Sequence, residues 1–142
     1  MSEYERTFTV GVSPGNAFRY LSSVSNLPNF VPYLRQIREE EHNHVFGTAE
    51  CEGSRFEVSG FFRADQANHR LDWESDGSSG YKGWLEIAGS GPEQSRITIH
   101  LSINRNAAHP KKDMSGDQIE RDLETATSKL RELLEREATV FA

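Results

Sequence analysis

The sequence predicts an α+β protein in which a run of antiparallel strands is covered by one long C-terminal helix. Between about residues 34 and 104 apolar residues recur at every second position, which is typical of half-buried strands. From Ser115 they recur every three or four residues for about twenty residues, which is typical of one helix face. With 142 residues, 35% of them hydrophobic, the chain can form one domain, 1–142, with a real core.

The N-terminal part begins with a strand and a helix. Residues 4–11 are rich in Thr, Phe and Val, which favour strands. Ser13 followed by Pro14 predicts a helix start, because serine caps the first turn and proline is tolerated at the first helical position. Phe18 and Leu21 are three residues apart and therefore lie on one face of this helix.

The next segment, SNLPNFVPYL from Ser25 to Leu34, is called the proline segment here. Pro28 and Pro32 exclude a long helix or a central strand. We expect irregular backbone with a short helical turn around Leu27 to Phe30. Irregular backbone usually lies at the surface, so the large apolar and aromatic residues of the segment need an explanation.

Period-two alternation then predicts five or six strands. Turn-forming residues separate them, and the short connections imply hairpins and hence an antiparallel meander. The last strand is the clearest, because Ile97, Ile99 and Leu101 share one face while polar residues occupy the other. The predicted strands are about 34–41, 45–52, 54–64, 69–75, 81–88 and 95–104, followed by a loop at 105–114.

The same alternation predicts which side chains face the C-terminal helix. The inner face of the sheet should consist of Phe56, Val58, Phe62, Leu71, Trp73, Tyr81, Leu85, Ile87, Ile97, Ile99 and Leu101. The apolar stripe of the helix should consist of Ile119, Leu123, Ala126, Leu130 and Leu133 or Leu134. Few polar groups join them: Ser75, the Tyr81 hydroxyl, Tyr33 and Thr127. A twisted sheet wrapped around a helix can leave a pocket between the two.

Composition excludes several classes of function. The net charge of −6 argues against nucleic-acid binding, because Lys111-Lys112 is too short a basic cluster. The N-terminus lacks the features of a signal peptide, and no apolar run is long enough to span a membrane. Cys51 is the single cysteine, so no internal disulfide can form. We expect a cytoplasmic protein, and its oligomeric state is left open.

No metal or cofactor site is predicted. His42 and His44 are two residues apart, but no third ligand follows at a spacing typical of a metal site. His100 alternates with Ile99 and Leu101 and should therefore face away from the helix. The sequence contains no phosphate-binding loop and no nucleophile elbow.

An ordered set of short motifs resembles START-like domains of the SRPBCC superfamily, especially the bacterial polyketide cyclase/dehydrase and lipid transport proteins. The motifs are VSPGNAFRYL at 12–21, NLPNFVPYL at 26–34, RLDW at 70–73, GWLEI at 83–87 and SRITI at 95–99. They cover nearly the whole chain. The resemblance implies a helix-grip fold, in which a seven-stranded antiparallel sheet grips the C-terminal helix and two short helices close one end of a hydrophobic cavity.

The resemblance does not imply a single activity, because members of the superfamily bind lipids, quinones or plant hormones, cyclise or dehydrate polyketides, or act as chaperone partners. The apolar inner face, the apolar proline segment and the lack of catalytic groups favour binding or transport of a small hydrophobic molecule such as a lipid, a quinone or an aromatic polyketide-like compound. The apolar residues of the proline segment would then line the pocket entrance, although simple packing onto the sheet is an equal alternative. The predicted ligand-contacting residues are Leu27, Phe30, Val31, Tyr33, Phe56, Val58, Phe62, Trp73, Tyr81, Leu85, Ile99, Leu123, Thr127 and Leu130.

Two other hypotheses remain open at this stage. A cyclase or dehydrase needs a titratable group in reach of its substrate, and only Glu50, with Tyr81, is a candidate. Glu50 faces inward only if Phe46 does, and the stretch VFGTAECE alternates ambiguously. A protein-interaction module, as in co-chaperone-like members of the superfamily, would instead use Trp84 and Phe61 on the outer face as contact residues.

Overall fold

The computed structural model describes residues 2–31, 33–51, 53–75, 81–103 and 116–141, with the side chains at 2, 51, 56, 81, 103, 116–118 and 137–141 excepted. These described residues form seven strands: β1 Ser2–Val10, β2 Leu34–Glu39, β3 His44–Cys51, β4 Ser54–Asp65, β5 Arg70–Ser75, β6 Tyr81–Gly91 and β7 Gln94–Ile103. Two α-helices form, α1 Pro14–Leu21 and α2 Gly116–Phe141, together with 3₁₀ helices Val24–Asn29 and Glu41–Asn43.

The strands make one antiparallel sheet in the order β1-β7-β6-β5-β4-β3-β2. The strands from β2 to β7 follow one another as a meander, as the short turns predicted. β1 joins the far side of β7, so β1 and β2 are the two edges of the sheet. The predicted α+β helix-grip architecture, with two short helices after the first strand, is therefore confirmed.

The element boundaries differ from the predicted ones in a few places. The first strand begins at Ser2, and α2 is 26 residues long rather than about twenty. The helical turn of the proline segment is a 3₁₀ helix that begins earlier than predicted, at Val24. The predicted loop at 105–114 and the DGSSG turn at 76–80 lie outside the described residues.

Helix α1 begins as its sequence predicts. Ser13 is the N-cap, its hydroxyl oxygen accepts a hydrogen bond from the backbone N–H of Asn16 at 3.4 Å, and Pro14 opens the first turn. Phe18 and Leu21 are buried against the sheet. The helix thus covers one end of the inner face, near β6 and β7.

Helix α2 is amphipathic, with its buried side against the sheet. Ile119, Leu123, Thr127, Leu130 and Leu134 are buried along it, at the three- and four-residue spacing of one helix face. None of the helices in the described ranges combines the length and the apolar composition that crossing a bilayer needs.

The inner side of the sheet is curved tightly enough to require glycine at particular positions. A Cβ atom on Gly47 would lie 2.1 Å from the carbonyl oxygen of Gln36 on β2, and one on Gly60 would lie 2.3 Å from that of Glu74 on β5. No side chain fits at such distances, so glycine allows these neighbouring strands to lie close to each other.

Among the described residues, a cluster of buried apolar side chains lies between the sheet, α1 and α2. Its members are Val10, Val12, Ala17, Phe18, Leu21, Val45, Phe62, Leu71, Leu85, Ile87, Ile97, Ile99, Leu123, Leu130 and Leu134. All the strand residues in this cluster from β4 onward lie on the face that alternation assigned to the helix.

Candidate functional site: the inner face between the sheet and α2

One flank of α2 is fastened to the edge strand β1 along its length. Arg6 forms ion pairs with Glu124 and, at 3.5 Å, with Glu120. Further along, the Arg131 Nε donates to the Thr9 carbonyl oxygen at 3.1 Å. The backbone N–H of Gly11 donates to Glu135 at 3.0 Å. These contacts close the β1 side of the space between helix and sheet.

The opposite flank of α2 meets the proline segment through one described side-chain pair. The Tyr33 hydroxyl donates to the Asp122 carboxylate, at 3.0 Å from Oδ1 and 2.9 Å from Oδ2. Ala126 and Leu133 follow Asp122 on the same flank, by helical spacing, and are only half-buried. Among the described residues, the side chains on this flank of the helix are therefore less buried than those that face the sheet.

The inner face of the sheet changes from fully buried to half-buried along the strands. The row of Ile97 and Ile87 near α1 is buried, as is the next row of Ile99, Leu85 and Leu71. Beyond it several side chains facing inward are partly accessible, although Phe62, which lies opposite Trp73, and Val45 are buried. These half-buried inner side chains are Tyr4, Ile37, Val58, Trp73 and Leu101.

The direction of α2 places its N-terminal turns over the half-buried end. Glu120 and Glu124 meet β1 at Arg6, whereas Glu135 meets the chain at Gly11, next to α1. The helix backbone comes within 8 Å of β1 and of α1, Cα to Cα. Accessible apolar surface therefore concentrates beneath the first turns of α2, away from α1.

Trp73 is the largest side chain in this half-buried region. It lies opposite Gly83 on β6. A Cβ atom on Gly83 would come within 2.7 Å of its ring atoms Cε2 and Cζ2. The absence of a side chain at residue 83 thus lets the indole lie flat across the inner face, where it presents a broad apolar surface.

The predicted ligand-contacting residues fall into three groups. Six of them are fully buried: Phe62, Leu85, Ile99, Leu123, Thr127 and Leu130. Six are half-buried: Leu27, Phe30, Val31, Tyr33, Val58 and Trp73. Phe56 and Tyr81 lie on β4 and β6, with side chains outside the described part. Leu27, Phe30 and Trp73 pack against the core cluster while keeping accessible surface.

The Thr127 hydroxyl donates to the Glu124 carbonyl oxygen at 3.0 Å, so its proton is already engaged.

Two polar residues at the edges of this space were missed. Arg6 had a detectable signal, because it occupies the same face of β1 as Tyr4, Phe8 and Val10, which are half-buried or buried. A charge at such a position indicates a partner across the space. Asp122 had no signal, since nothing near it in the sequence indicates that it meets Tyr33.

The acid considered for an enzymatic mechanism does not face the inner space. On β3, Val45 and Ala49 are the buried residues, so Phe46 and Glu50 both lie on the outer face. Glu50 is paired with Arg55 on the neighbouring strand, at 3.3 Å. The inward orientation that the enzyme hypothesis required for Glu50 is therefore not found.

The outer face of the sheet carries two stacks of aromatic and cationic side chains. Trp84 lies between His100, with ring centroids 5.2 Å apart, and the Arg70 guanidinium, 4.8 Å from the ring centroid. Hydrogen bonds and charge from Asp72 and Glu86 raise the pKa of Arg70, so the guanidinium over the indole remains a cation. His100 faces outward as predicted, within 3.2 and 3.4 Å of Glu3 and Glu5.

The second stack lies over β2, β3 and β4. His44 lies between Phe46 and Phe61, with ring centroids at 4.3 and 4.7 Å. Phe61 is 38% exposed. Because Trp84 is covered by its own neighbours, only Phe61 of the two proposed protein-contact residues presents a substantially open ring.

The described structure has two shallow depressions, one on the outer face and one at the edge of the inner space, where Phe8 and Thr127 are among the lining residues. One of about 380 Å³ lies on the outer face between Lys82, Arg63 and Trp84. The other, of about 220 Å³, lies where β1 meets α2, beside Arg6 and Arg131. Within the described part of the chain, no three His, Cys, Asp or Glu residues are grouped closely enough to hold a metal ion.

Comparison with known proteins agrees with this architecture. A family model described as polyketide cyclase / dehydrase and lipid transport matches residues 1–135. The aromatase/cyclase Zhui from Streptomyces sp. R1128 superposes with a TM-score of 0.73 at 13% identity, covering 97% of this chain and 93% of that one. A START superfamily protein from Mycobacterium smegmatis gives 0.69 at 13% identity, covering 99% of both chains. A Thermus thermophilus protein gives 0.71 at 15% identity, again covering 99% of both. No curated protein sequence matches the chain.

A curved antiparallel sheet that holds a C-terminal helix on its apolar inner face defines a START-like helix-grip protein. Because the family model matches residues 1–135, the protein belongs to the polyketide cyclase / dehydrase and lipid transport family. At these low identities the similar structures establish the fold and leave the activity open.

Proposed function

We propose that the protein binds a small hydrophobic molecule between the sheet and α2, and that the molecule enters beside the proline segment. The observation that carries this proposal is the half-buried inner surface around Trp73, Val58 and Leu101. Apolar side chains that face a helix and yet keep accessible surface are poorly explained by core packing alone, whereas an apolar ligand would complete their burial.

The asymmetric fastening of α2 supports the position of the entrance. The β1 flank is held by ion pairs from Arg6 and hydrogen bonds to Thr9 and Gly11. The other flank is bridged at Tyr33 and Asp122. Leu27, Phe30 and Val31, in the same segment as Tyr33, are apolar and half-buried, which suits an entrance for a hydrophobic molecule on this side.

The family description supports the ligand class, since it includes lipid transport. A lipid acyl chain, a quinone or an aromatic polyketide-like molecule would each fit an apolar lining. The similar aromatase/cyclase from Streptomyces keeps an enzymatic role as a second hypothesis, but its proposed acid Glu50 lies on the outer face. Unchanged ligand turnover in Glu50→Gln would remove that residue from the hypothesis.

The two tryptophans allow a direct test, because one faces inward and the other outward. In Trp84→Phe the only tryptophan is Trp73, so binding of a hydrophobic molecule should shift or quench its fluorescence. In Trp73→Phe the only tryptophan is Trp84, which should stay silent. Equal responses from both variants, or none from Trp73 across acyl-chain, quinone and aromatic ligands, would contradict the proposed site.

Native mass spectrometry of the protein purified from its own host complements this test. A co-purifying hydrophobic molecule would identify the ligand class, and Phe30→Ala and Trp73→Ala should reduce its retention. A matched control is Phe61→Ala, which removes a phenyl ring from the outer face. Equal loss of the molecule in Phe61→Ala would indicate general destabilisation rather than a specific site.

A further inference from the structure

We propose that the depression on the outer face of the sheet binds a small neutral molecule with several hydroxyl groups, of the size of one sugar ring. The depression has a volume of about 380 Å³ and is lined by residues of β1, β4, β5, β6 and β7. That volume is within the usual range for small-molecule sites. The inference does not depend on the proposed hydrophobic ligand, because it concerns the opposite face of the sheet.

Ser102 on β7 gives the depression a buried polar group that has no partner. The residue is 4% exposed, and its Oγ atom is buried without a hydrogen bond in the described structure. A buried hydroxyl in this state costs stability. Its neighbours across the sheet are Lys82 and Glu3, which are exposed and also line the depression. These long side chains can move aside, so a polar ligand atom can reach the Ser102 hydroxyl.

The rim of the depression carries charges of both signs on successive strands. Arg63 on β4, Glu74 on β5 and Lys82 on β6 are all exposed there. Within the described part of the chain, none of these three side chains forms an ion pair or a hydrogen bond. Because Glu74 and Lys82 are directly opposite each other in the sheet register, a ligand ion of either sign would meet a like charge at the rim. The rim therefore disfavours ionic ligands.

A neutral polyhydroxylated molecule can use both kinds of charge. Each hydroxyl group donates one hydrogen bond and also accepts. Ligand hydroxyls can therefore donate to Glu74 and accept from Lys82 and Ser102, without like-charge repulsion. Hydrogen bonds in which the protein group is charged are stronger than neutral ones, which compensates for the shallow shape of the site.

The aromatic residue beside the depression contributes its edge rather than its face. Trp84 is stacked on His100 and covered by the Arg70 guanidinium, so its ring faces are occupied. Asp72 and Glu3, which also line the depression, already contact Arg70 and His100 at 3.2 Å each. Recognition should thus depend on hydrogen bonds to Ser102 and the rim, and not on stacking.

NMR titration of the wild-type protein tests the proposal with neutral and ionic rings. The neutral probes are myo-inositol, methyl glucoside and methyl galactoside, and the ionic ones are cyclohexanecarboxylate and cyclohexylamine. We expect at least one neutral probe to shift the backbone amide signals of Lys82, Gly83 and Ser102 saturably. Its dissociation constant should be about 1–10 mM, as for a small ligand in a shallow site. The ionic probes should be at least about tenfold weaker at these signals.

Two variants assign the binding to the depression. Ser102→Ala should weaken the neutral probe about threefold to tenfold, through the loss of one hydrogen bond. Without ligand its unfolding free energy should equal or exceed that of wild type, because an unsatisfied hydroxyl is removed. Lys82→Met changes only an exposed side chain and should also weaken binding. The matched control is Ser59→Ala, which removes a half-buried hydroxyl outside the depression and should leave binding unchanged.

Each other result contradicts the proposal at a stated point. Saturable shifts from an ionic ring alone would overturn the preference for neutral hydroxylated molecules, and no shift from any probe would overturn the site. Unchanged binding in both Ser102→Ala and Lys82→Met would place the ligand elsewhere. A clear loss of stability in ligand-free Ser102→Ala would show that the hydroxyl already serves the fold, and the assignment of Ser102 to a ligand would be wrong.

Discussion

The indole of Trp73 and the bare Cα of Gly83 are packed against each other across neighbouring strands of the inner face. A Cβ atom on Gly83 would lie 2.7 Å from two carbons of the indole and 2.6 Å from the His100 carbonyl oxygen. Glycine is thus required here by an aromatic ring on one side and a β-sheet carbonyl on the other. The close packing of Trp73 on Gly83 positions the indole in the proposed ligand site, and a substitution at residue 83 can test it.

Gly83→Ala should lower the free energy of unfolding by about 1–3 kcal/mol, because overpacking forces side chains or backbone to shift. Trp73 should also move, which the fluorescence of the Trp84→Phe background would detect. Chemical denaturation measures the stability change. The control is Gly15→Ala in helix α1, where a methyl group would meet nothing within 4 Å and should be neutral or stabilising by up to ~1 kcal/mol. A Gly83→Ala protein as stable as wild type would show that the indole has room to move.

Ser95 is fully buried, and its hydroxyl donates to the Val12 carbonyl oxygen at 2.6 Å. The bond ties β7 to the turn before α1. Ser95→Ala should destabilise the protein by about 1–3 kcal/mol, because a buried carbonyl loses its partner. The exposed Ser90→Ala, measured by the same denaturation curve, should fall within about 0.5 kcal/mol of wild type. Similar unfolding free energies for the two variants would mean that the Ser95 hydrogen bond contributes little to stability.

Arg6 provides the ion pairs between β1 and α2, yet its Nε atom is buried without a hydrogen-bond partner in the described structure. Glu124 and Glu120 are more than half exposed, so these ion pairs should each be worth less than about 1 kcal/mol. Arg6→Met keeps the aliphatic stem and removes the unpaired atom. We expect its unfolding free energy to lie within about 1 kcal/mol of wild type, whereas Arg6→Ala should lose more through packing. If both variants lost the same unfolding free energy, the loss would come from the missing charge rather than from packing.

Asp65 is expected to report on the turn between β4 and β5 through its titration. Hydrogen bonds from the side chain and the backbone N–H of Asn68 hold the pKa of Asp65 below its ordinary value of 3.8. A lowered pKa in the folded state means that this turn stabilises the fold above the ordinary value, and that the contribution disappears as the pH falls through the folded pKa.

In Asn68→Ala, the pKa of Asp65 should therefore rise toward 3.8, since the larger of these hydrogen bonds is lost. Carboxyl-carbon NMR titration measures it directly. The stability difference between wild type and variant should shrink as the solution is acidified through this range. An unchanged Asp65 titration in Asn68→Ala would show that the backbone N–H groups and Arg70, rather than the Asn68 side chain, lower the pKa.

Much of the fold could be predicted because it depends on local periodicity. Alternation placed Phe62, Leu85 and Ile99 on the inner face, and these residues are buried there. The Ser13-Pro14 signal located the start of α1, and the short turns required a meander. Each of these features is determined by residues within a few positions of one another.

The candidate site was less predictable, for reasons visible in particular residues. The stretch around Glu50 contains small and polar residues on both faces, so alternation could not orient it, and only its pairing with β4 showed that it faces outward. Trp84 was correctly placed on the outer face, but its covering by Arg70 and His100 was not foreseen.

The sequence by itself determined the order of the elements, the two faces of most strands and the apolar stripe of α2, because these depend on spacing along the chain. Only the tertiary structure decided that Arg6 reaches Glu124, 118 residues away, and that Tyr33 reaches Asp122, 89 residues away. Such contacts depend on how tightly the sheet curves and how α2 is rotated within it. Both depend on the packing of the complete fold. The close approach of neighbouring strands at Gly47, Gly60 and Gly83 is part of that packing.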